Sequence, residues 1–376
     1  MTDKALLVLA DGSTYEGEAF GAETAAGGEV VFSTSMTGYQ EALTDPSFAG
    51  QILVMTYPLA GNYGINRFDV ESNRIQVTGM VVREHCDLPS HWQSEMTLHD
   101  YLARNGIPGL SGVDTRALTR RLRMSGVMMG TITRGEDAGE ALTRLRESPS
   151  YGEIDFVRTV STDCDYEWPD GATAASSHIA LVDLGVKYNI MRLLSRRGAH
   201  VTAMPCLTSA EDVLALRPDG VVLSPGPGDP AHLGYIVETL KGLIGKTPIL
   251  GICLGHQTLG AAFGASTFKL KFGHRGANHP VRDLTTGRVY ITAQNHGYAV
   301  DPDGLRGGLA VSHTNINDGT VEGLRHEELG IMSIQYHSEA SPGPLDSTYF
   351  FDRFLELVAE RKKSGSGPLD AWRLNA

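Results

Sequence analysis

The chain has 376 residues, of which 41% are hydrophobic and 20% are charged, and its formal net charge is −12. This length predicts two domains, because one domain usually holds about 100–200 residues. The composition is globular, and the negative charge disfavours general binding to nucleic acid or to anionic membrane surfaces.

The cysteines and the apolar segments indicate the compartment. Four cysteines are scattered along the chain without a CxxC pair, which predicts neither a disulfide framework nor a zinc site. The apolar run at residues 5–10 is too short for a signal peptide, and the uncharged stretch at 247–268 is rich in glycine and a poor membrane span. We therefore expect a soluble, cytoplasmic protein.

Residues 1–160 are predicted to form a mixed, sheet-centred domain. Runs of β-forming residues, broken by turn residues, occur at 6–9, 30–33, 52–56 and 77–82. One helix is predicted from Asp114 to Met124, with Asp114 as its N-cap. The topology of this domain does not follow from the pattern.

A change in composition then marks a linker at residues 161–177. Residues 178–362 alternate apolar strands with helices, which predicts a parallel, doubly wound sheet with its site at the carboxyl ends of the strands. The predicted strands are 178–184, 199–204, 221–224 and 248–252, and the predicted helices are 187–197, 211–216 and 234–243. Residues 363–376 are predicted to be a flexible tail.

The segment Gly251-Ile-Cys253-Leu-Gly255 directly follows a predicted strand. G-x-C-x-G between a strand and a helix is the cysteine form of a nucleophile elbow, a strained turn that lifts the nucleophile above the sheet. The helix N-terminus favours a thiolate, and the N–H of Leu254 is a natural oxyanion donor. Gln257, one helical turn later, can meet a polar substrate. Considered alone, the segment could also hold an inert buried cysteine.

A second segment, Gln335-Tyr-His337-Ser-Glu339, follows a predicted strand at 330–334. In an extended chain His337 and Glu339 point to the same side, so that the carboxylate can orient the imidazole and stabilise its protonated form. With Cys253, this pair predicts a Cys–His–acid triad. An ordinary surface His–Glu pair is the alternative for the segment alone.

Two predicted loops complete a pocket. Residues 223–230 follow a strand, and Gly226 and Gly228 can present N–H groups to a ligand, whereas the neighbouring prolines have none. Residues 294–298 follow a predicted strand at 289–293 and include Asn295, Gly297 and Tyr298. Ordinary turns are the alternative for both segments without the elbow.

In this order, the segments resemble class I, or triad, glutamine amidotransferases. That family carries a PGPGDP-type loop, a GxCxGxQ elbow and a late H-x-E pair, found here at residues 224–230, 251–257 and 337–339. The resemblance covers roughly residues 178–360 and implies Cys253, His337 and Glu339 as the catalytic triad.

The sequence of the first domain indicates which group of these amidotransferases the chain resembles. Residues 37–47, 56–64 and 112–119 resemble the N-terminal domain of carbamoyl-phosphate synthase small subunits. The implied glutamine contacts are Ser47, Gly226, Gly228, Leu254, Gln257, Asn295, Gly297 and Tyr298. Two positions depart from the family pattern without removing a triad group: Ser338 stands where proline is frequent, and Tyr298 where phenylalanine is common.

The resemblance implies hydrolysis of L-glutamine to glutamate and ammonia through a cysteine thioester. The ammonia would pass to a large ATP-grasp-type subunit, in a heterodimer or a higher assembly, which makes carbamoyl phosphate from bicarbonate for pyrimidine and arginine synthesis. The chain contains no P-loop pattern, so ATP and magnesium are expected on the large subunit, and neither a cofactor nor a metal on this one. No nucleic-acid or membrane partner is expected.

Two other functions stay open at this point. One is a free-standing glutaminase or the amidotransferase of another synthase, which conflicts with the first domain. The other is a catalytically silent subunit, which conflicts with the intact triad. Arg116, Arg120 and Arg123 recur on one face of the predicted helix, either as a solvated basic face or as a docking face for an acidic partner surface.

Overall fold

In a computed structural model the described residues are 4–169 and 177–364, and the chain divides into two compact units. The first unit comprises Met1–Phe156, Lys271–Gly276 and Ser341–Gly343. The second comprises Val157–Leu270, Ala277–Ala340 and Pro344–Ala376. The sequence-based domains were each one continuous segment, whereas the first unit also takes two short segments from later in the chain. Most of the predicted tail lies outside the described residues.

The first unit is rich in short strands. Its strands are Lys4–Leu9 (β1), Thr14–Gly21 (β2), Ala26–Ser33 (β3), Gln51–Met55 (β4), Leu59–Ala60 (β5), Gly79–Val81 (β6), Glu84–His85 (β7), Pro108–Ser111 (β8) and Met128–Thr133 (β9). Its helices are Tyr39–Thr44 (α1), Leu98–Arg104 (α2), Thr115–Ser125 (α3) and Ala138–Glu147 (α4). Seven strands close into a barrel in the order β1-β2-β8-β6-β4-β3-β9, and β5 pairs with β7.

The strand sequences of the first unit explain its packing. In β4, Ile52 and Val54 belong to one apolar cluster, while Leu53 and Met55 belong to another. This alternation follows the two-residue period of a strand that is covered on both faces. The predicted cap of α3 is confirmed, because the Asp114 carboxylate accepts a hydrogen bond from a backbone N–H in the first turn of the helix.

The second unit is built on one large sheet. Its strands are Tyr166–Glu167 (β10), Ser177–Asp183 (β11), Ala199–Pro205 (β12), Gly220–Leu223 (β13), Ile249–Ile252 (β14), Ser266–Asp283 (β15), Val289–Asp301 (β16), Ala310–Asn315 (β17), Val321–His326 (β18) and Ile331–Ile334 (β19). Its helices are Val157–Val160 (α5), Tyr188–Arg196 (α6), Ala210–Ala215 (α7), Gly234–Leu243 (α8), Leu254–Ala262 (α9) and Tyr349–Ser364 (α10). β10 lies within the segment predicted as a linker.

The sheet has ten strands in the order β10-β12-β11-β13-β14-β19-β18-β17-β15-β16. The five strands from β12 to β19 in this order are mutually parallel, as predicted. The sheet then continues with β18, β17 and β15 in antiparallel pairing, which the strand–helix pattern did not predict. No crossover helix separates these later strands, so they pair antiparallel.

Helices cover both faces of the parallel strands. In β11, Ile179 and Leu181 pack in the cluster that contains residues of α6 and α10, whereas Ala180 and Val182 pack in the cluster that contains residues of α8 and α9. This confirms the doubly wound arrangement. The carboxyl ends of β11, β13, β14 and β19 therefore meet at one edge of the sheet. Among the described residues, no helix is both long and apolar enough to cross a membrane.

Candidate active site

Cys253 lies in the turn between β14 and α9 and is almost fully buried. Its φ of 53° is in the left-handed region, which is uncommon for a residue with a side chain and typical of a strained elbow. A Cβ on Gly251 would lie 2.7 Å from the carbonyl oxygen of Gly255. A Cβ on Gly255 would lie 2.5 Å from that of Leu223. Both flanking glycines are therefore required by space, and the sulfur sits at the amino end of α9.

His337 and Glu339 form a buried pair just after β19. The Nδ1 atom of His337 lies 2.6 Å from Oε1 of Glu339. Burial alone would lower the pKa of His337, but the charge of Glu339, followed by the effect of Cys253, raises it to about 10. At neutral pH the ring therefore carries a proton on both nitrogens, with Glu339 fixing its orientation.

A buried lysine, which the sequence reasoning missed, completes this ion pair. Lys187 lies at the start of α6, and its Nζ is 3.1 Å from Oε1 of Glu339 and also donates to the carbonyl oxygen of Ala340. Burial would raise the pKa of Glu339, but Lys187 and then His337 outweigh this and lower it to about 2. A signal was available, because a lysine soon after an apolar parallel strand lies at the sheet edge where the site was expected.

The sulfur of Cys253 has two polar groups of the described residues within hydrogen-bond reach. Nε2 of Gln335 lies at 3.5 Å, and the carbonyl oxygen of Asn295 lies at 3.7 Å. Nε2 of His337 is buried and has no hydrogen-bond partner within the described part of the chain. The sulfur nevertheless lies close enough to the ring to raise the pKa of His337.

Gly226, in the loop after β13, packs against the elbow. A Cβ on Gly226 would lie 2.1 Å from the carbonyl oxygen of Leu184 and 2.8 Å from Cδ2 of Leu254, so only glycine fits. Leu254 is the first residue of α9, where an N–H has no acceptor within the helix. Gly228 has a φ of 97°, which also favours glycine. The fold thus packs the loop of Gly226 directly against the side chain of Leu254.

Gln257 lies on α9 and is buried. Its Nε2 donates to the carbonyl oxygen of Tyr298 at 2.8 Å and to Oε1 of Gln335 at 3.0 Å. Both N–H groups of this amide are therefore used inside the protein. Its Oε1 is the group left to accept a hydrogen bond from a substrate.

Asn295, Gly297 and Tyr298 lie inside β16, so the prediction of a loop after a strand ending at residue 293 was wrong. The polar residues of this segment suggested a loop, but the structure satisfies them within the sheet. The ring nitrogens of His296, for example, lie 2.7 Å from Oε1 of Gln294 and 2.7 Å from the carbonyl oxygen of Tyr298. Buried polar side chains with such partners are compatible with a strand.

Ser47 belongs to the first unit, in a 3-10 turn at Pro46–Phe48. The Asp45 carboxylate accepts a hydrogen bond from the backbone N–H of Ser47 at 2.9 Å. The Ser47 hydroxyl is buried and has no hydrogen-bond partner within residues 4–169 and 177–364. Its contact with glutamine stays a prediction.

Two family models match the chain. Residues 7–132 match the model described as carbamoyl-phosphate synthase small chain, CPSase domain. Residues 180–357 match the model described as glutamine amidotransferase class-I. The two matches fall on the two segments whose motifs carried the resemblance.

Similar proteins extend over nearly the whole chain. A carbamoyl phosphate synthase small chain from Methanopyrus kandleri is 51% identical and covers 95% of this chain and 99% of its own length. Proteins of the same name from Bacillus caldolyticus and Staphylococcus epidermidis are 51% and 49% identical, and each match covers 96% of this chain and 98% of the relative.

Proposed function

The chain belongs to the family of carbamoyl phosphate synthase small chains, and from this premise we propose how its site works and where its product goes. With its amidotransferase domain, it is a glutamine-hydrolysing subunit that supplies ammonia. We propose that hydrolysis proceeds through a thioester on Cys253. We base this on the convergence of Cys253, His337 and Glu339 at the carboxyl edge of one parallel sheet.

In the first half of the reaction, the Cys253 thiolate attacks the side-chain carbonyl carbon of glutamine. The N–H groups of Leu254 and Gly226 stabilise the resulting oxyanion. His337, protonated on Nε2 because its pKa is raised to about 10, gives that proton to the leaving ammonia. The C–N bond breaks and the γ-glutamyl thioester remains.

In the second half, water hydrolyses the thioester. Acylation removes the negative charge from the sulfur, and with it one of the interactions that raise the pKa of His337. Having given up its proton, His337 then acts as the base for the attacking water, while Glu339 keeps the ring oriented. The C–S bond breaks with its electron pair returning to sulfur, and glutamate leaves.

We further propose that the ammonia passes to a large ATP-grasp-type subunit in a heterodimer or a higher assembly. That subunit would form carbamoyl phosphate from bicarbonate for pyrimidine and arginine synthesis, in the cytoplasm. ATP and magnesium would bind there, and this chain would need neither a cofactor nor a metal. The name "small chain" of its relatives supports a larger partner.

The basic face of α3 is one candidate for contact with that partner. Arg121 pairs with Asp11 at 2.7 Å, and the guanidinium of Arg123 lies 5.7 Å from the ring centre of Phe272. Arg116, Arg120 and Arg123, the three arginines of the predicted face, are all exposed. A solvated face and a docking face for acidic side chains both stay compatible with it.

The test is glutamate release by the purified chain, alone and with its large subunit, ATP and bicarbonate. We expect stimulation by the partner and loss of glutamate release in Cys253→Ser. Cys164→Ser makes the same change at an exposed cysteine and should retain activity. Activity indifferent to the partner would favour a free-standing glutaminase, and no glutamate in either condition would leave a silent binding subunit.

A further inference from the structure

Gln335 has no role in the mechanism so far, yet its side chain touches the reacting atom. It directly follows β19 and is fully buried, and its Nε2 lies 3.5 Å from the sulfur of Cys253. The distance is within the range for a hydrogen bond to sulfur, which is longer than one to oxygen. Gln335 therefore contacts the nucleophile and not only the surrounding core.

The backbone holds Gln335 and Cys253 side by side. Ile252 of β14 is paired with Ile334 of β19, so the two residues that follow these strands are neighbours. The N–H of Cys253 donates to the carbonyl oxygen of Ile334 at 2.8 Å. The N–H of Gln335 donates to the carbonyl oxygen of Glu322 at 2.9 Å. The separation between the amide and the sulfur is thus set by the sheet.

A chain of hydrogen bonds also decides which end of the Gln335 amide faces the sulfur. The carbonyl oxygen of Tyr298 can only accept, so Gln257 must direct its NH₂ group towards it. The same NH₂ group lies 3.0 Å from Gln335, which must therefore offer its Oε1 there. The NH₂ group of Gln335 is then left to face Cys253, and the alternative flipped amide would lose two hydrogen bonds.

A buried thiolate needs such a donor. Cys253 is 2% exposed, so water contributes little to solvating a negative sulfur. Two other groups face the sulfur: the carbonyl oxygen of Asn295, which cannot donate to a thiolate, and the imidazolium of His337, whose proton is used in the reaction. We propose that Gln335 donates a hydrogen bond to the Cys253 thiolate and stabilises the nucleophile before glutamine is attacked. This assignment rests on the proposed role of Cys253 as the nucleophile.

The test measures the reactivity of the thiol without glutamine. The full chain is treated with iodoacetamide across pH 5.5–9.5, and alkylation of the peptide that contains Cys253 is quantified by mass spectrometry. Gln335→Met keeps the volume but removes the donor. We expect the pH at which alkylation reaches half its maximal rate to be about one unit higher in this variant than in the parent. At pH 7 its alkylation rate should be about tenfold lower.

A purely structural role for Gln335 would give a different result. Loosening of the core would change alkylation at every pH without moving the midpoint. The matched control is Thr258→Val, which removes buried hydrogen bonds to the carbonyl oxygens of Leu254 and Gly255 on the same helix. Its midpoint should equal that of the parent. An unmoved midpoint in folded Gln335→Met would overturn the proposal.

A second variant covers the case in which Gln335→Met does not fold. Gln257→Met removes the group that orients the Gln335 amide, so we expect a shift in the same direction but only about threefold in rate at pH 7. No shift in this variant would also contradict the proposal. A parent chain that releases no glutamate would refute the proposed function instead, and the alkylation profiles would still decide whether Gln335 is a donor.

Discussion

Two buried histidines of the second unit show opposite chemistry. His337 is 2% exposed, and its pKa is raised to about 10. His256, on α9, is completely buried, and burial, followed by the influence of His313, lowers its pKa to about 3. Its Nδ1 lies 2.9 Å from the hydroxyl oxygen of Ser333, and its Nε2 has no partner within the described residues.

The difference lies in the partner, not in the degree of burial. His256 faces a neutral hydroxyl, so removal from water decides its charge and keeps it neutral. His337 faces Glu339, which Lys187 holds in the ionised form. The charges of Lys187 and Glu339 compensate each other, and the Glu339 carboxylate also faces the imidazolium of His337. This group of side chains can therefore be both buried and charged.

The largest expected effect comes from removing the Glu339 carboxylate, the partner that His337 has and His256 lacks. In Glu339→Gln, the interaction that most raises the pKa of His337 is lost, and the amide leaves the ammonium of Lys187 without a buried counter-ion. We expect kcat for glutamine hydrolysis to fall about 10⁴-fold, as for loss of the acid in other triads. Steady-state glutamate release measures it.

The control for this prediction is Glu136→Gln, which makes the same change at an exposed pair with Arg144 in the first unit. It should retain the parental kcat. If Glu339→Gln were equally active, the ionised carboxylate would not be what makes His337 differ from His256 in function.

The next effect concerns the counter-ion. Lys187→Met removes the ammonium from a pair in which both side chains are buried, 2% and 0% exposed. Because the buried Glu339 carboxylate loses its permanently charged partner and keeps only His337, we expect the free energy of unfolding to fall by about 3–5 kcal/mol. Urea unfolding followed by circular dichroism measures this.

Lys241→Met provides the matched surface comparison, since Lys241 pairs with Glu238 at 2.8 Å and both side chains are exposed. It should unfold at nearly the same urea concentration as the parent. A small loss in Lys187→Met would indicate that His337 alone keeps Glu339 ionised.

The sequence predicted the parts of the candidate site whose structure is determined by residues close to one another in the chain. The strand predicted at 248–252 is found at Ile249–Ile252, and the helix predicted at 187–197 at Tyr188–Arg196. Both are bounded by local signals, such as Gly198, whose φ of 85° ends the helix. The elbow was predictable from the local pattern of two glycines around a cysteine, although the close contact that requires Gly255 is with Leu223 of β13.

The parts that the sequence did not predict depend on contacts between distant segments. The barrel closes because β1 pairs with β9, with Leu7 opposite Ile132, and no local pattern indicates this partner. β2 was missed because its Glu and Gly residues have low strand propensity, and pairing with β1 and β8 decides its conformation. Lys187 was missed because only the folded sheet brings it to Glu339.

A smaller effect is expected in the pH dependence of stability. The raised pKa of His337 contributes stability that is fully present below its ordinary value of 6.5 and is lost as the pH rises towards 10. The lowered pKa of His256 acts oppositely: its contribution is present above 6.5 and is lost as the pH falls towards 3. For each histidine, the free energy of unfolding changes by at most about 1.4 kcal/mol per pH unit.

Urea unfolding measured at a series of pH values separates the contributions of His337 and His256 to stability. Glu339→Gln should flatten the loss of stability between pH 6.5 and 10, because the interaction that most raises the pKa of His337 is then gone. His256→Asn should flatten the loss on the acid side below pH 6.5 and leave the alkaline side unchanged. If both variants changed stability on the same side of pH 6.5, the two histidines would not have opposite pKa shifts.

The smallest expected effect tests whether a short distance between two charged groups makes a strong ion pair when the pair is not buried. Arg144 and Glu136 lie 2.7 Å apart, almost the same separation as the 2.6 Å between His337 and Glu339, but both side chains are partly exposed. The Arg144 hydrogen bond, followed by that from Thr133, lowers the pKa of Glu136. Water and salt screen this exposed pair, so we expect Glu136→Gln to unfold at the same urea concentration as the parent in 0.15 M salt. A clear destabilisation would mean that separation alone, and not the exclusion of water, makes the Glu339 pair strong, and the contrast between His337 and His256 would then need a different cause.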